Sequence, residues 1–126
     1  MPMNRLLIAL TFLAFLMPAG AAHAQQKDAA SQAKAQFKAG QVFFKDGSYV
    51  DALRAFKKAN KLHPHPDIVF MVGQAQRNLK LHAAAINSFK AYLDGKPDAE
   101  DREDVERLIE ELDFLEEAEG SAVDPT

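Results

Sequence analysis

An internal repeat constrains the fold of this chain more than any other feature of its sequence. When residues 36–64 are aligned with residues 69–97, seven of the 29 aligned positions are identical. Ordinary composition would give roughly two identities by chance. The identical pairs are Phe37/Phe70, Gly40/Gly73, Gln41/Gln74, Ala52/Ala85, Phe56/Phe89, Lys57/Lys90 and Pro64/Pro97. Because small, aromatic and proline positions tolerate least change in stacked repeats, the pattern predicts a stacked binding fold and not an enzyme.

Residues 1–24 have the pattern of a secretory signal peptide. Arg5 precedes an apolar run from Leu6 to Met17, and the small residues Ala22 and Ala24 lie two positions apart. We therefore predict cleavage after Ala24, with the mature protein periplasmic in a Gram-negative bacterium or secreted. An uncleaved membrane anchor is the alternative. About 12 apolar residues fall short of the roughly 20 that span a bilayer, so we expect no stable membrane span after cleavage.

The mature chain is long enough for one small domain and too short for two. We place that domain at residues 31–118, after a flexible N-terminal segment 25–30 and before a disordered tail 119–126. The sequence contains no cysteine, so neither disulfides nor thiolate chemistry can contribute. The stability of the domain must therefore come from the packing of its helices.

Charge is divided between the body and the end of the mature chain. Residues 25–93 hold 11 Lys or Arg against 4 Asp or Glu, a charge of +7. Residues 94–126 hold 3 against 14, a charge of −11. The simplest interpretation is a set of solvated helix faces. A basic body with an acidic tail can also fold over itself or dock head to tail.

Hydrophobic periodicity predicts five helices, so the expected fold class is all-α. The first begins at Ser31 and ends at the Asp46-Gly47 pair, and its predicted packing stripe holds Ala35, Ala39, Val42 and Phe43. The other helices are predicted at residues 49–61, 66–79, 81–93 and 98–117. The second has a predicted cap made by Ser48 and Asp51. The third opens on Pro66, since proline suits a first helical position.

The last predicted helix is amphipathic and acidic. Its apolar positions step by three and four residues, and they are Val105, Leu108, Ile109, Leu112 and Leu115. Acidic residues occupy the other face and the N-terminal end, where negative charge is favoured. A helix of this kind closes the open apolar end of a stack of helices, so we expect residues 98–117 to be a cap.

The first copy of the repeat resembles a tetratricopeptide repeat. The positions that carry the resemblance are Ala39, Gly40, Phe43, Ala52, Phe56, Ala59 and Pro64, followed in the second copy by Gly73, Ala85, Phe89 and Pro97. The resemblance covers both copies of the repeat. It implies two repeats, or four helices paired as hairpins, with the fifth helix as an amphipathic C-terminal capping helix. The glycines would let paired helices approach closely, and the phenylalanines would fill the space between successive pairs.

The resemblance also implies a partner-binding groove, because the first helix of each repeat lines the concave side in this family. The residues expected there are Phe37, Gln41, Phe44 and Lys45, and then Phe70, Gln74, Arg77 and Asn78. Aromatic anchors, amides and cations suit an extended or helical peptide. Phe37 and Phe70 can equally be core residues, and the sequence leaves these two interpretations open.

We expect no catalytic residue, metal site or cofactor. His63, His65 and His82 lack a nearby cysteine or a helical histidine pair. The carboxylates of residues 98–119 lie on a helix without an apolar pocket that would separate their pKa values. The lysines of the body could contact nucleic acid, but the export signal argues against this interpretation.

The sequence therefore predicts a non-enzymatic adaptor of the cell envelope that binds a protein or peptide partner. Two alternatives stay open. The chain could be a self-assembly module that joins its acidic cap helix to the basic groove, giving a homo-oligomer. It could also bind a small molecule or a cell-wall ligand, if the helices enclose a pocket.

Overall fold

The computed structural model describes residues 19–122, and for residues 19–27 it describes the backbone alone. This part of the chain holds five helices and no strand, so the predicted all-α class is confirmed. The helices are α1 (Ala19–Lys45), α2 (Tyr49–Leu62), α3 (Pro66–Asn78), α4 (His82–Gly95) and α5 (Arg102–Ala122). The apolar run of the predicted signal peptide lies outside the described residues.

The two terminal helices extend further than the sequence pattern indicated. Residues 25–30, predicted to be flexible, are helical within α1, and residues 119–122, predicted to be disordered, are helical within α5. The start of α1 is rich in alanine and glutamine, which favour helix without any hydrophobic periodicity. No helix within residues 19–122 is long and apolar enough to cross a membrane.

The helices pack mainly on their neighbours in the chain, α1 on α2, α2 on α3, α3 on α4 and α4 on α5. In both copies of the repeat a glycine faces a fully buried phenylalanine. A Cβ atom on Gly40 would lie 2.6 Å from the ring of Phe56, and one on Gly73 would lie 2.9 Å from the ring of Phe89. The two helix pairs therefore approach closely at equivalent positions of the two copies.

The same turn ends α1 and α3. The Ser48 N–H donates to the Phe43 carbonyl at 2.8 Å, and at the equivalent position of the second copy the Leu81 N–H donates to the Gln76 carbonyl at 2.9 Å. The residue before each donor has positive φ, 77° at Gly47 and 59° at Lys80. This is the Schellman arrangement, in which a left-handed residue closes a helix.

The predicted side-chain cap of α2 does not form. Ser48 occupies the N-cap position with φ −83° and ψ 65°, and its side chain makes no capping hydrogen bond. The preceding turn already fixes the backbone of this residue, and the Asp51 carboxylate pairs with Arg54 at 3.2 Å. At α3, by contrast, Pro66 opens the helix as predicted.

The packing face of α1 differs from the predicted stripe. The buried or half-buried side follows Ala33, Phe37, Gly40 and Phe44, whereas Val42 is 58% and Phe43 38% exposed. Phe43, expected to fill the space between helix pairs, therefore lies at the surface. Both sides of α1 carry apolar residues, and the close contact of Gly40 with Phe56 selects the inner one.

The inner faces of α2 and α4 agree with the sequence. Ala52, Phe56 and Ala59 are fully buried, and so are Ala85 and Phe89. In α5, Val105 and Leu112 are buried, and the other two members of the stripe between them, Leu108 and Ile109, pack against the same cluster. Leu115, the last member of the predicted stripe, is 38% exposed.

Candidate partner-binding surface

The eight predicted groove residues divide into aromatic and polar members. Phe37, Phe44 and Phe70 are half-buried and pack against the hydrophobic core. Four of the other five are exposed and Gln74 is half-buried; these five are Gln41, Lys45, Gln74, Arg77 and Asn78. The polar members therefore face solvent on α1 and α3, while the aromatic members support the helices beneath them.

The two equivalent phenylalanines make equivalent contacts. The ring centroid of Phe37 lies 5.5 Å from that of Phe56, and the ring centroid of Phe70 lies 5.5 Å from that of Phe89. Such tilted aromatic pairs add to the stability that the buried area provides. Of the two interpretations left open by the sequence, packing against the core is the one these contacts support.

An open cleft of about 300 Å³ lies between the middle of α1 and the start of α3. We call it the α1–α3 cleft. Its apolar residues include Ala33, Phe37 and Ile68, of which Ala33 and Ile68 are buried and Phe37 half-buried. Its polar residues are Lys34 on α1 and His63, His65 and Asp67 in and after the α2–α3 turn.

The α2–α3 turn that forms this rim is held by hydrogen bonds. The Asn60 side-chain oxygen accepts from the His65 N–H at 3.1 Å, and His65 Nδ1 accepts from the Asp67 N–H at 3.2 Å. His65 therefore caps α3, with Pro66 as the first helical residue. A preorganised rim lowers the entropic cost of binding, because less of it must be ordered when a partner docks.

Charge on the rim is partly neutralised within the chain. Asp67 Oδ1 lies 3.1 Å from Lys96 Nζ, which joins the start of α3 to the end of the second copy. The hydrogen bond that Lys96 donates to Asp67, reinforced by the negative charge of that carboxylate, raises the pKa of Lys96. Because Lys96 balances the charge of Asp67, the charge of Lys34 is left unbalanced on the rim of the cleft. The rim is therefore basic.

An open, mainly polar cleft of about 450 Å³ lies at the turn between α4 and α5. The Tyr92 hydroxyl donates to Asp101 there at 2.9 Å. Burial, and then the Asp101 hydrogen bond, raise the pKa of Tyr92. The Asp101 carboxylate therefore stabilises the turn between α4 and α5. Within the described part of the chain, no three metal-ligating side chains cluster.

Sequence reasoning did not identify Ala33, Lys34 or Ile68 as site residues. Two signals in the sequence point to this region: Ala33 precedes Phe37 by four residues on one helix face, and Ile68 is the first apolar residue after the His-Pro-His-Pro run. The predicted groove residues lie on the same two helices. Only the fold brings the turn against α1, however, because this contact joins segments that are distant in the sequence.

A scan against protein-family models gave no match, and a search of curated proteins gave no similar sequence. The resemblance to the tetratricopeptide repeat therefore rests on the repeated residues themselves. The Gly-Phe contacts and the duplicated turn are consistent with it.

Proposed function

We propose that this chain is a non-enzymatic adaptor of the cell envelope that binds a segment of a partner protein along α1 and α3. In this proposal the helix pairs are tetratricopeptide-like hairpins, and residues 1–24 direct export and are removed. The α1–α3 cleft carries the proposal, because it combines an apolar floor with a basic, preformed rim. Pockets of this composition bind an apolar anchor and orient it through a few polar contacts.

Polar residues further along α1 and α3 extend the proposed surface beyond the cleft. Gln41 and Lys45 are one turn apart on α1. On α3, the Asn78 amide nitrogen donates to the Gln74 carbonyl at 2.8 Å, so this side chain is held in place while its oxygen stays available as an acceptor. Amides and a cation in this arrangement suit the backbone groups of a peptide.

The charge of the body favours an acidic partner. Residues 25–93 carry +7, and Lys34, Lys38 and Lys45 are all exposed on α1. An apolar side chain flanked by Asp or Glu would place its anchor in the cleft and its carboxylates near these lysines. Long-range attraction of this kind raises the association rate and weakens as salt is added.

Site-specific photo-crosslinking tests the proposal. A benzophenone amino acid at position 34, on the rim, should capture a protein from an envelope extract, whereas the same probe at position 90, on exposed Lys90 of α4, should not. The captured segment, made as a labelled peptide, should then bind Lys34→Glu at least about tenfold more weakly than wild type, a loss of about 1.4 kcal/mol. Lys90→Glu is the matched control for charge.

Equal capture at both positions, or unchanged affinity of Lys34→Glu, would remove the cleft from the binding surface. Cross-linking at position 34 to cell-wall fragments and to no protein would favour the cell-wall ligand alternative.

A further inference from the structure

Two clefts of this molecule correspond to each other through the internal repeat. One lies between α3 and α4, and the other, of about 210 Å³, lies between α1 and α2. Five of the six residues that line the second cleft have their repeat partner in the first. These pairs are Gln36/Val69, Phe43/Gln76, Arg54/Asn87, Ala55/Ser88 and Lys58/Ala91.

The two clefts differ in what lies against them. Lys57 and Asn60 of the preceding helix α2 also line the α3–α4 cleft. Under this cover Gln76 is 6% exposed, and its side-chain oxygen accepts a hydrogen bond from Ser88 at 2.6 Å. In the α1–α2 cleft all six lining residues belong to α1 and α2, and Phe43 stands where Gln76 would be, 38% exposed. Within the described part of the chain, the α1–α2 cleft is thus a helix-packing face that no neighbouring helix covers.

The outward face of α5 carries a matching apolar residue. Phe114 is 70% exposed, the largest exposure among the large hydrophobic residues in the described part of the chain. It lies two positions after buried Leu112, and therefore on the side of the helix opposite the core. One turn away on the same side are three exposed carboxylates, those of Glu110, Glu111 and Glu117.

Charge makes this face complementary to the α1–α2 cleft. The cleft presents Phe43 beside exposed Arg54 and Lys58, and because Asp51 pairs with Arg54, Lys58 supplies the net positive charge of the cleft. Among the described residues, Asp104 and Glu106 of α5 pair with arginines and Glu119 lies 3.3 Å from the His82 ring, whereas none of the carboxylates around Phe114 has such a contact. The two surfaces are therefore complementary. Each has a phenylalanine at its centre, with acidic groups around Phe114 and basic groups around Phe43.

We propose that the α1–α2 cleft of one molecule binds the outward face of α5 of a second copy, with Phe114 seated against Phe43. Each helix packs on the next one in the chain, so the α1–α2 cleft lies at the first end of the stack and α5 at the last. A contact between these two surfaces is therefore head to tail. A contact of this type leaves one free surface at each end and extends into chains unless the rotation closes a ring. The α1–α2 cleft shares no lining residue with the α1–α3 cleft, so the two binding surfaces are separable.

Complementary variants test the proposal. The cleft variant Arg54→Glu/Lys58→Glu and the cap variant Glu110→Lys/Phe114→Ser each destroy one of the two surfaces and keep the other. Sedimentation equilibrium of the mature protein at about 20 mM salt should show wild-type assemblies larger than a monomer, which dissociate at about 500 mM salt as screening shortens the Debye length. Each variant alone should be monomeric, and an equimolar mixture should give dimers and nothing larger.

Lys90→Glu is the control for charge and should assemble like wild type. Far-UV circular dichroism shows whether each variant is folded, and the single change Phe114→Ser provides a milder cap variant should the double change unfold the chain. Wild-type protein that stays monomeric at low salt, a folded cap variant that still assembles, or a mixture that stays monomeric would each overturn the proposal.

Discussion

The two copies of the repeat differ in their surroundings more than in their internal packing. Both contain the same contact of glycine with buried phenylalanine and the same closing turn. They differ at positions that meet other helices: Phe43 corresponds to Gln76, and Ala59 corresponds to Tyr92. Shared positions therefore define how two helices pair, and divergent positions define what each pair touches next.

The largest expected effect tests the equivalence of the two glycine contacts. Gly40→Ala and Gly73→Ala should each lower the free energy of unfolding by about 1–3 kcal/mol, because the added methyl overlaps a ring in a packed core. Gly40→Ala should cost more, since its contact is 2.6 Å against 2.9 Å at Gly73. Urea unfolding followed by circular dichroism measures both.

Gly120→Ala is the control for this pair, since no atom lies within 4 Å of the added methyl. In a helix that change should raise the free energy of unfolding by up to about 1 kcal/mol. A Gly40→Ala variant as stable as wild type would contradict the close approach of α1 and α2.

The second prediction concerns the polar pair that replaces Phe43 and Ala55 in the second copy. Ser88→Ala should lower the free energy of unfolding by about 1–3 kcal/mol, because buried Gln76 loses its hydrogen-bond donor. The double variant Gln76→Phe/Ser88→Ala has the residues of the first copy at both positions. It should be more stable than Ser88→Ala alone. Asn87→Ala, an exposed neighbour, should change little. If the double variant were less stable than Ser88→Ala, the two clefts would not be interchangeable.

The third prediction uses the duplicated turn. Lys80 holds φ 59°, a conformation that costs residues other than glycine about 1–2 kcal/mol. Lys80→Gly should therefore raise thermal stability, by about 0.5–1 kcal/mol after the greater flexibility of glycine in the unfolded chain is subtracted. Gly47→Ala should have the opposite sign, because Gly47 has φ 77°. Thermal unfolding curves of both variants decide this, and equal signs would refute the equivalence of the turns.

The smallest expected effect is a pH dependence of stability that only the second copy of the repeat contributes. Tyr92, unlike its counterpart Ala59, is a buried acid whose pKa is raised by burial and by its hydrogen bond to Asp101. The Tyr92 hydroxyl therefore loses its proton at a higher pH in the folded protein than in the unfolded chain. The contribution of Tyr92 to stability is fully present below its pKa in the unfolded chain, about 10. It decreases as the pH rises towards the pKa of Tyr92 in the folded protein.

The free energy of unfolding of wild type should accordingly decrease more between about pH 9 and 11 than that of Tyr92→Phe. The difference between the two profiles therefore reports the Tyr92 hydroxyl together with its charge interaction with Lys96. Parallel pH profiles would show that this hydroxyl contributes nothing to the pH dependence.

The success of sequence reasoning varied with the number of interpretations each pattern allowed. The inner faces of α2 and α4 were predicted correctly because each has one apolar side. In α1, Phe37 and Phe44 lie on one side and Phe43 on another, so periodicity alone could not select the buried stripe. The α1–α3 cleft was missed because its lining joins α1 to a turn far along the chain.

The sequence by itself determined that this chain is helical, where its inner turns fall and which glycine and phenylalanine positions recur. Those properties follow from local periodicity, turn residues and internal repetition. The tertiary structure decided which side of α1 is buried, which repeated cleft is covered by a neighbouring helix and which is open, and that Phe114 faces outward. These depend on which surfaces meet in space, and residues with the same local pattern can take either place.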